Sequence, residues 1–154
     1  MTEIVPYEEK YKPIFENLNK AWIEKYFNIE ELDRKALEHP KTYILDKGGY
    51  ILIALYDGKP VGACALIKMD DERYDYELAK MAVDKQYRGK GIGKVLCQAV
   101  IDKAKEVGAK SVFLESNTVL ETAIILYRKL GFKETGETDS PYNRCNIQME
   151  LTID

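Results

Sequence analysis

Histidine and cysteine are scarce in this 154-residue chain, and what is missing removes several kinds of chemistry at once. There is one histidine, His39, directly before Pro40, which argues against a histidine triad or a histidine-rich metal centre. The cysteines are Cys64, Cys97 and Cys145. An odd number with no C-x-x-C pair points to neither a disulfide framework nor a zinc site, so no metal is expected. No run approaches the roughly 20 apolar residues of a membrane span, and the N-terminus lacks the apolar stretch of a secretion signal. The expectation is a cytoplasmic protein with no membrane partner. A basic excess is also lacking: 23 basic residues stand against 26 acidic ones, for a net charge of −3. A general nucleic-acid binder would show a basic stripe, so no nucleic-acid partner is expected. The acidic balance favours cationic ligands by long-range attraction, although it serves solubility equally well. Repeats, low-complexity stretches and linkers are absent. Hydrophobic content of 45% and charged content of 32% are ordinary for a globular chain, and the length suits one domain, residues 1–154, with one core.

What is present reads as alternating strands and helices. Ile4 and Val5 suggest a short first strand. Tyr11, Ile14, Phe15, Leu18, Ala21, Trp22 and Tyr26 fall at helical spacing. Asn28, with Glu31 after it, looks like the cap of a second helix that ends before Pro40. Residues 50–56 and 61–67 form an apolar hairpin around the turn signal Asp57-Gly58. A polar connection at 70–73 leads to a strand over 76–83. The next helix shows Ile92, Val95, Leu96, Ala99 and Val100 on one face, with Cys97 as packing, and Gly108 stands where a C-terminal glycine cap belongs. A strand over 111–115, a helix over 122–130 ended by Gly131, and strands after Phe132 and over 145–151 complete the chain. The order β-α-α-β-β-β-α-β-α-β-β predicts an α/β (α+β) fold with a mixed central sheet and helices on its faces.

The most informative run is 83–94, Val-Asp-Lys-Gln-Tyr-Arg-Gly-Lys-Gly-Ile-Gly-Lys. A strand leads into glycines at alternate positions, and a helix follows. Glycines let backbone N–H groups turn inward, and the helix start presents unpaired N–H groups and a positive dipole end. With Arg88, Lys90 and Lys94 the run makes a cradle for a phosphate or pyrophosphate. A Walker loop would need glycine at 88 and Ser or Thr after Lys94, where Arg88 and Val95 stand; a dinucleotide fingerprint would need G-x-G-x-x-G. A glycine-rich turn with no ligand is the alternative. Arg88-Gly89-Lys90-Gly91-Ile92-Gly93 fits R-x-x-G-x-G, and here the chain resembles the GNAT superfamily of acyl-CoA-dependent N-acetyltransferases. A second segment, Ala123-Ile124-Ile125-Leu126-Tyr127 through Leu130-Gly131-Phe132, resembles that superfamily's A-I-x-L-Y-x-K-x-G-F, and the element order also matches.

The resemblance implies a GNAT-type, mostly antiparallel sheet with helices on both faces. It implies an acetyltransferase that uses acetyl-CoA as co-substrate, without a metal, and moves the acetyl group to a primary amine by direct attack. Arg88, Gly89, Lys90, Gly91, Ile92, Gly93 and Lys94 would hold the pyrophosphate. Met81 and Val83 would contact the pantetheine and the acetyl carbonyl through their main chain. Tyr127 would protonate the departing thiolate, a phenol with pKa near ~10 being close enough to a thiol near ~8.5 for that transfer. Its alternative is a core aromatic. Asn117 would hydrogen-bond the pantetheine, although it lies farther before Tyr127 than is usual, Leu120 standing at the usual position; its alternative is a turn or cap residue. Glu77 is a general-base candidate, with a solvated carboxylate or an ion pair to Lys80 or Arg73 as alternatives. Strand alternation groups Glu77 with Ala79, Met81 and Val83.

The resemblance places acceptor choice in residues 22–40 and 138–146. Glu24, Glu30, Glu31, Asp33 and Glu38 make the first segment acidic, which suits an amine or is simply a solvated helix face. Asp139, Tyr142 and Arg144 mark the second, where Arg144 could bind a carboxylate. The acceptor stays open between a small-molecule and a peptide amine. A homodimer, a longer acyl donor and a non-catalytic acyl-CoA-binding module also stay open.

Overall fold

A computed structural model of the chain describes residues 1–136 and 139–153. The elements are β1 Thr2–Pro6, α1 Lys12–Tyr26, α2 Glu31–Glu38, β2 Tyr50–Tyr56, β3 Lys59–Lys68, β4 Tyr76–Val83, α3 Ile92–Glu106, β5 Ser111–Ser116, α4 Glu121–Lys129, β6 Lys133–Glu134 and β7 Ile147–Thr152. The order is the one expected. The strands make a seven-stranded sheet in the order β1-β2-β3-β4-β5-β7-β6, antiparallel throughout except where β4 runs parallel to β5.

Each face of the sheet carries its own core. On one side, Phe15 and Ile23 of α1 and Leu37 of α2 pack on Ile51, Ile53 and Ala65. On the other, Leu96, Val100 and Ala104 of α3 and Ile124 of α4 pack on Leu66, Leu78, Val112 and Leu114. The buried stripes are rotated from the sequence reading. In α1 the buried row is Tyr11, Phe15, Asn19 and Ile23, while Ala21 and Tyr26 face solvent. Asn19 is accommodated because its amide donates to the Phe15 carbonyl at 2.9 Å and its oxygen accepts from Trp22 at 3.0 Å. In α3, Val95 is exposed and Cys97 is buried beside Leu96.

Helix ends explain several sequence signals. Asp57 and Gly58 both have positive φ, as the tight hairpin turn requires. The α2 cap is Glu30 rather than Asn28. Glu30 accepts from the backbone N–H of Asp33, and the Asp33 carboxylate in turn accepts from the Glu30 N–H at 2.9 Å. After α3, Gly108 takes φ +84 while its N–H reaches the Lys105 carbonyl and that of Ala109 reaches Ala104, satisfying carbonyls the helix leaves open. An added Cβ at Gly108 would meet nothing within 4 Å, so Gly108→Ala should cost about 1 kcal/mol of backbone strain alone, read as a lower urea midpoint with an unchanged slope.

Candidate active site

The site begins with a strand pair that comes apart. β4 and β5 pair only at Tyr76 with Val112 and at Glu77 with Phe113, yet β4 continues to Val83 and β5 to Ser116. Beyond Glu77 the two strands leave a gap in the sheet. A cavity of about 730 Å³ passes through it. Its walls on the α3 and α4 side include Met81, Val83, Ile92, Leu126 and Tyr127; on the α1 and α2 side they include Trp22, Phe27, Glu77, Lys80, Glu115 and Arg144. The Asp84 N–H donates to Val61 of β3 at 2.7 Å. Alternation then turns the Val83 N–H the other way, toward the gap.

The glycine loop closes one end. Gly89 and Gly91 have φ of +81 and +75, and an added Cβ at either would meet no atom within 4 Å. Their freedom serves the turn of the backbone and keeps its concave side open. No side chain caps α3, so its first N–H groups remain available and its positive end faces the cavity. Arg88, Gly89, Gly91, Ile92, Gly93 and Lys94 line the space. Lys90 does not: its ammonium sits over the Tyr56 ring, 5.3 Å from the centroid.

Tyr127 belongs to the last turn of α4. The Phe132 N–H bonds back to the Tyr127 carbonyl at 3.0 Å, and the two rings meet edge to face at 6.0 Å. Burial, with the Cys97 and Cys64 thiols beside it, holds the phenol well above its ordinary pKa, so it is a neutral donor at the cavity wall. Asn117 also lines the cavity, but its side chain is occupied. Its amide donates to the Arg144 carbonyl at 2.7 Å and its oxygen accepts from Val119 at 2.9 Å. It thereby ties the loop after β5 to the loop before β7.

Strand alternation fails at Lys80. Ala63 pairs with Ala82 but Ala65 pairs with Ala79, so two β4 residues, Lys80 and Met81, oppose the single residue Cys64. Lys80 has φ +54. The extra residue switches the phase, a feature the expected grouping of Glu77 with Met81 and Val83 did not contain. Glu77 and Ala79 pair with Ile67 and Ala65 on the α1 face, whereas Met81 and Val83 pack on the α3 face. Glu77 therefore lines the far half of the cavity from Met81 and Val83. Burial first, then the nearby Glu115 charge, raise its pKa to about 7 against the opposing pull of Lys80. Among the described residues it accepts no hydrogen bond. The ion pairs considered for it lie elsewhere: Lys80 bonds Asp33, and Arg73 lies 3.6 Å from Asp71.

Asp33 was legible only as one charge in an acidic run, and it is the most buried group of the site, with 0% exposure. Its carboxylate receives Lys80 at 2.6 Å, both terminal nitrogens of Arg144 at 2.6 Å, and the Glu30 N–H at 2.9 Å. Glu30 supports Arg144 at 3.5 Å, and Lys80 also donates to the Tyr142 hydroxyl at 3.2 Å. Burial alone would raise the Asp33 pKa; the bonds from Arg144 and the charge of Lys80 outweigh it and bring it to about 2. Burial pulls Lys80 down even so, while hydrogen bonding to Asp33 keeps Arg144 up. The geometry decides for the fully ionised trio, since two cations at 2.6 Å require an anion between them. Arg144 is thus engaged by Asp33 and is not a free carboxylate receptor. Glu115, unremarked in the sequence, accepts from Gln148 at 3.0 Å, while Gln148 also donates to the Asp139 carbonyl. Burial leads in raising the Glu115 pKa. Thr138, the first residue of the second expected acceptor segment, lies outside the described residues.

Comparison with known proteins now bears on this arrangement. The description of the Acetyltransferase (GNAT) family matches residues 11–132. This chain belongs to the GNAT acetyltransferase family. A GNAT acetyltransferase from Staphylococcus aureus superposes with a TM-score of 0.87 at 26% identity, covering 100% of both chains. The PaiA N-acetyltransferase of Thermoplasma acidophilum, solved with coenzyme A, shares the GNAT fold at a TM-score of 0.77, 20% identity and 99% coverage of each chain. Human N-acetyltransferase 8B is 32% identical over 101 residues, which is 64% of this chain and 44% of that protein. The zebrafish (Danio rerio) N-acetylaspartate synthetase is 36% identical over 97 residues, 63% of this chain and 34% of that one. The chain thus spans less than half the length of these curated relatives. Among the described residues, no group of side chains could hold a metal ion and no helix is long and apolar enough to cross a membrane.

Replacing Asp33 by Asn should remove roughly 3–5 kcal/mol of stability, because it strands two buried cations, as measured by urea unfolding. The pH dependence has a definite sign. Asp33 is held below its unfolded pKa of about 4, so its contribution is present above that value and fades as pH falls toward about 2. Asp33→Asn should flatten the acid limb of the stability curve in that window.

Proposed function

We propose that residues 1–154 act as one N-acetyltransferase domain that moves the acetyl group of acetyl-CoA to a primary amine. The carrying observation is the gap between β4 and β5, a cavity with the glycine loop and the start of α3 at one end and the half-buried Glu77 and Glu115 carboxylates at the other. In this reading Arg88, Lys94 and the N–H groups at the start of α3 hold the pyrophosphate. The pantetheine lies along the free edge of β4 beside Met81, where the Val83 N–H faces it. One preorganised donor on the thioester oxygen is worth roughly 3 kcal/mol of transition-state stabilisation. Lys90, stacked on Tyr56, contributes only general positive charge. Asn117 acts chiefly by fixing the loop that closes the site.

The incoming amine is protonated at neutral pH. Glu77, enclosed, without a hydrogen-bond donor among the described residues and near pKa 7, takes that proton directly or through water. The amine nitrogen then attacks the thioester carbonyl. As the tetrahedral species collapses, the carbon–sulfur bond breaks, Tyr127 gives its proton to the sulfur, and the extra proton on the amide nitrogen leaves through water to restore the Tyr127 phenol, while Glu77 releases its proton to solvent. No covalent enzyme intermediate is required, and Cys97 is packed inside the core. The placement of Glu77 and Tyr127 on one cavity supports catalysis over acyl-CoA binding alone.

Calorimetry should show acetyl-CoA binding, and thiol release should follow with a panel of amines. Tyr127→Phe should lower kcat about 10- to 100-fold with little change in KM for acetyl-CoA; unchanged kcat would remove Tyr127 from the acid role. The groups facing Glu77 are Glu115 from β5, Lys80 from β4 and Tyr142 from the loop before β7, with Asp33 and Arg144 held behind Lys80. Its basic form accumulates above about pH 7, so kcat should rise with pH through that value. Glu77→Gln should abolish that step and leave only the amine's own titration.

A further inference from the structure

The acceptor half of the cavity carries a charge balance that restricts what can enter it. Its two cations are already used. Arg144 places both terminal nitrogens on Asp33 and is backed by Glu30, and Lys80 is shared between Asp33 and Tyr142. Two further carboxylates, Glu77 and Glu115, face the same space, which sets two cations against four acids. Glu115 and Glu77 are neighbours across the gap. Glu77 pairs with Phe113, and Glu115 is the next residue on that face of β5. Trp22 and Phe27, in edge-to-face contact at 6.5 Å, and Tyr142 also line the cavity, with the Arg144 guanidinium over the Trp22 and Tyr142 rings and the Lys80 ammonium over Tyr142.

An α-amino acid would bring its own carboxylate to within two bonds of the reacting nitrogen, against these acids, with no uncommitted cation among the described residues of this half of the cavity to receive it. Like charges brought together in an enclosed site repel one another. A cationic amine meets the Glu77 and Glu115 carboxylates instead. From this we infer that the acceptor is an amine with no carboxylate on the carbon bearing the nitrogen, and that Glu115 selects for it by charge. The inference rests on the acetyltransferase reading above and deepens it.

Matched pairs test it: phenethylamine against phenylalanine, putrescine against ornithine, with aspartate as an acidic extreme and phenylalaninamide as a control that keeps the bulk but loses the charge. Acetyl-CoA binding is measured first by calorimetry, and kcat/KM for each amine then by thiol release. The amine of each pair should exceed its amino acid by at least about tenfold. Phenylalaninamide should group with phenethylamine, and aspartate should be inert. Glu115→Gln should shrink the ratio by lowering kcat/KM for the amines and raising it for the amino acids, with KM for acetyl-CoA unmoved; the wild-type comparison stands even if that variant does not fold. Equal or better use of the amino acids overturns the inference, and so does transfer to neither member of either pair, while acetyl-CoA binding in those same samples leaves the donor reading intact. Absence of acetyl-CoA binding overturns the donor reading and this inference with it.

Discussion

The carboxylate of Asp33 is the point on which the active-site half of the molecule depends. It joins three segments far apart in the chain: the start of α2 through Glu30, the β4 bulge through Lys80, and the loop before β7 through Arg144. A single buried anion with four donors is stable only if all of them are present. The cluster therefore acts as an all-or-none clamp. It also accounts for Lys80 adopting φ +54, a backbone state that costs a non-glycine residue of order 1–3 kcal/mol and that the two bonds of its ammonium offset.

The bulge held by that clamp has a functional consequence. By changing phase at Lys80, β4 offers its main chain and the Met81 and Val83 side chains to one half of the cavity and Glu77 to the other. A regular strand would have put the carboxylate on the same face as Met81 and Val83, packed against α3. The split from β5 then joins the two halves, so a donor entering along α3 and an acceptor entering beside α1 can meet at the gap in the sheet.

Much of the fold was legible because its signals are local. The bounds of β2 and β4 and the glycine ends of α3 and α4 follow from apolar runs and turn chemistry. The stripes of α1 and α3 were misphased, since residues such as Ala21 and Val95 carry little information about which way a helix faces. Asn28 lost the cap of α2 to Glu30 because Asp33, needed at the third helical position to pair the clamp, reciprocates from there. Of the residues read from the sequence as a phosphate cradle, all but Lys90 line the cavity, and the long chain of Lys90 reaches the Tyr56 ring instead. Lys80 stood out in the sequence as a charge inside an apolar strand, yet nothing local named its partner.

The sequence by itself determined the glycine loop and helix start that form the proposed donor end of this protein. A pyrophosphate cradle is made from consecutive backbone atoms, so its grammar is contiguous and survives in one dimension. Tertiary structure alone decided the acceptor end, where Asp33, Glu77, Lys80, Glu115 and Arg144 come from α2, β4, β5 and the loop before β7. Their charges have meaning only relative to one another, because in an enclosed space a carboxylate is a base, an anchor or a barrier according to which cation lies within about 3 Å of it.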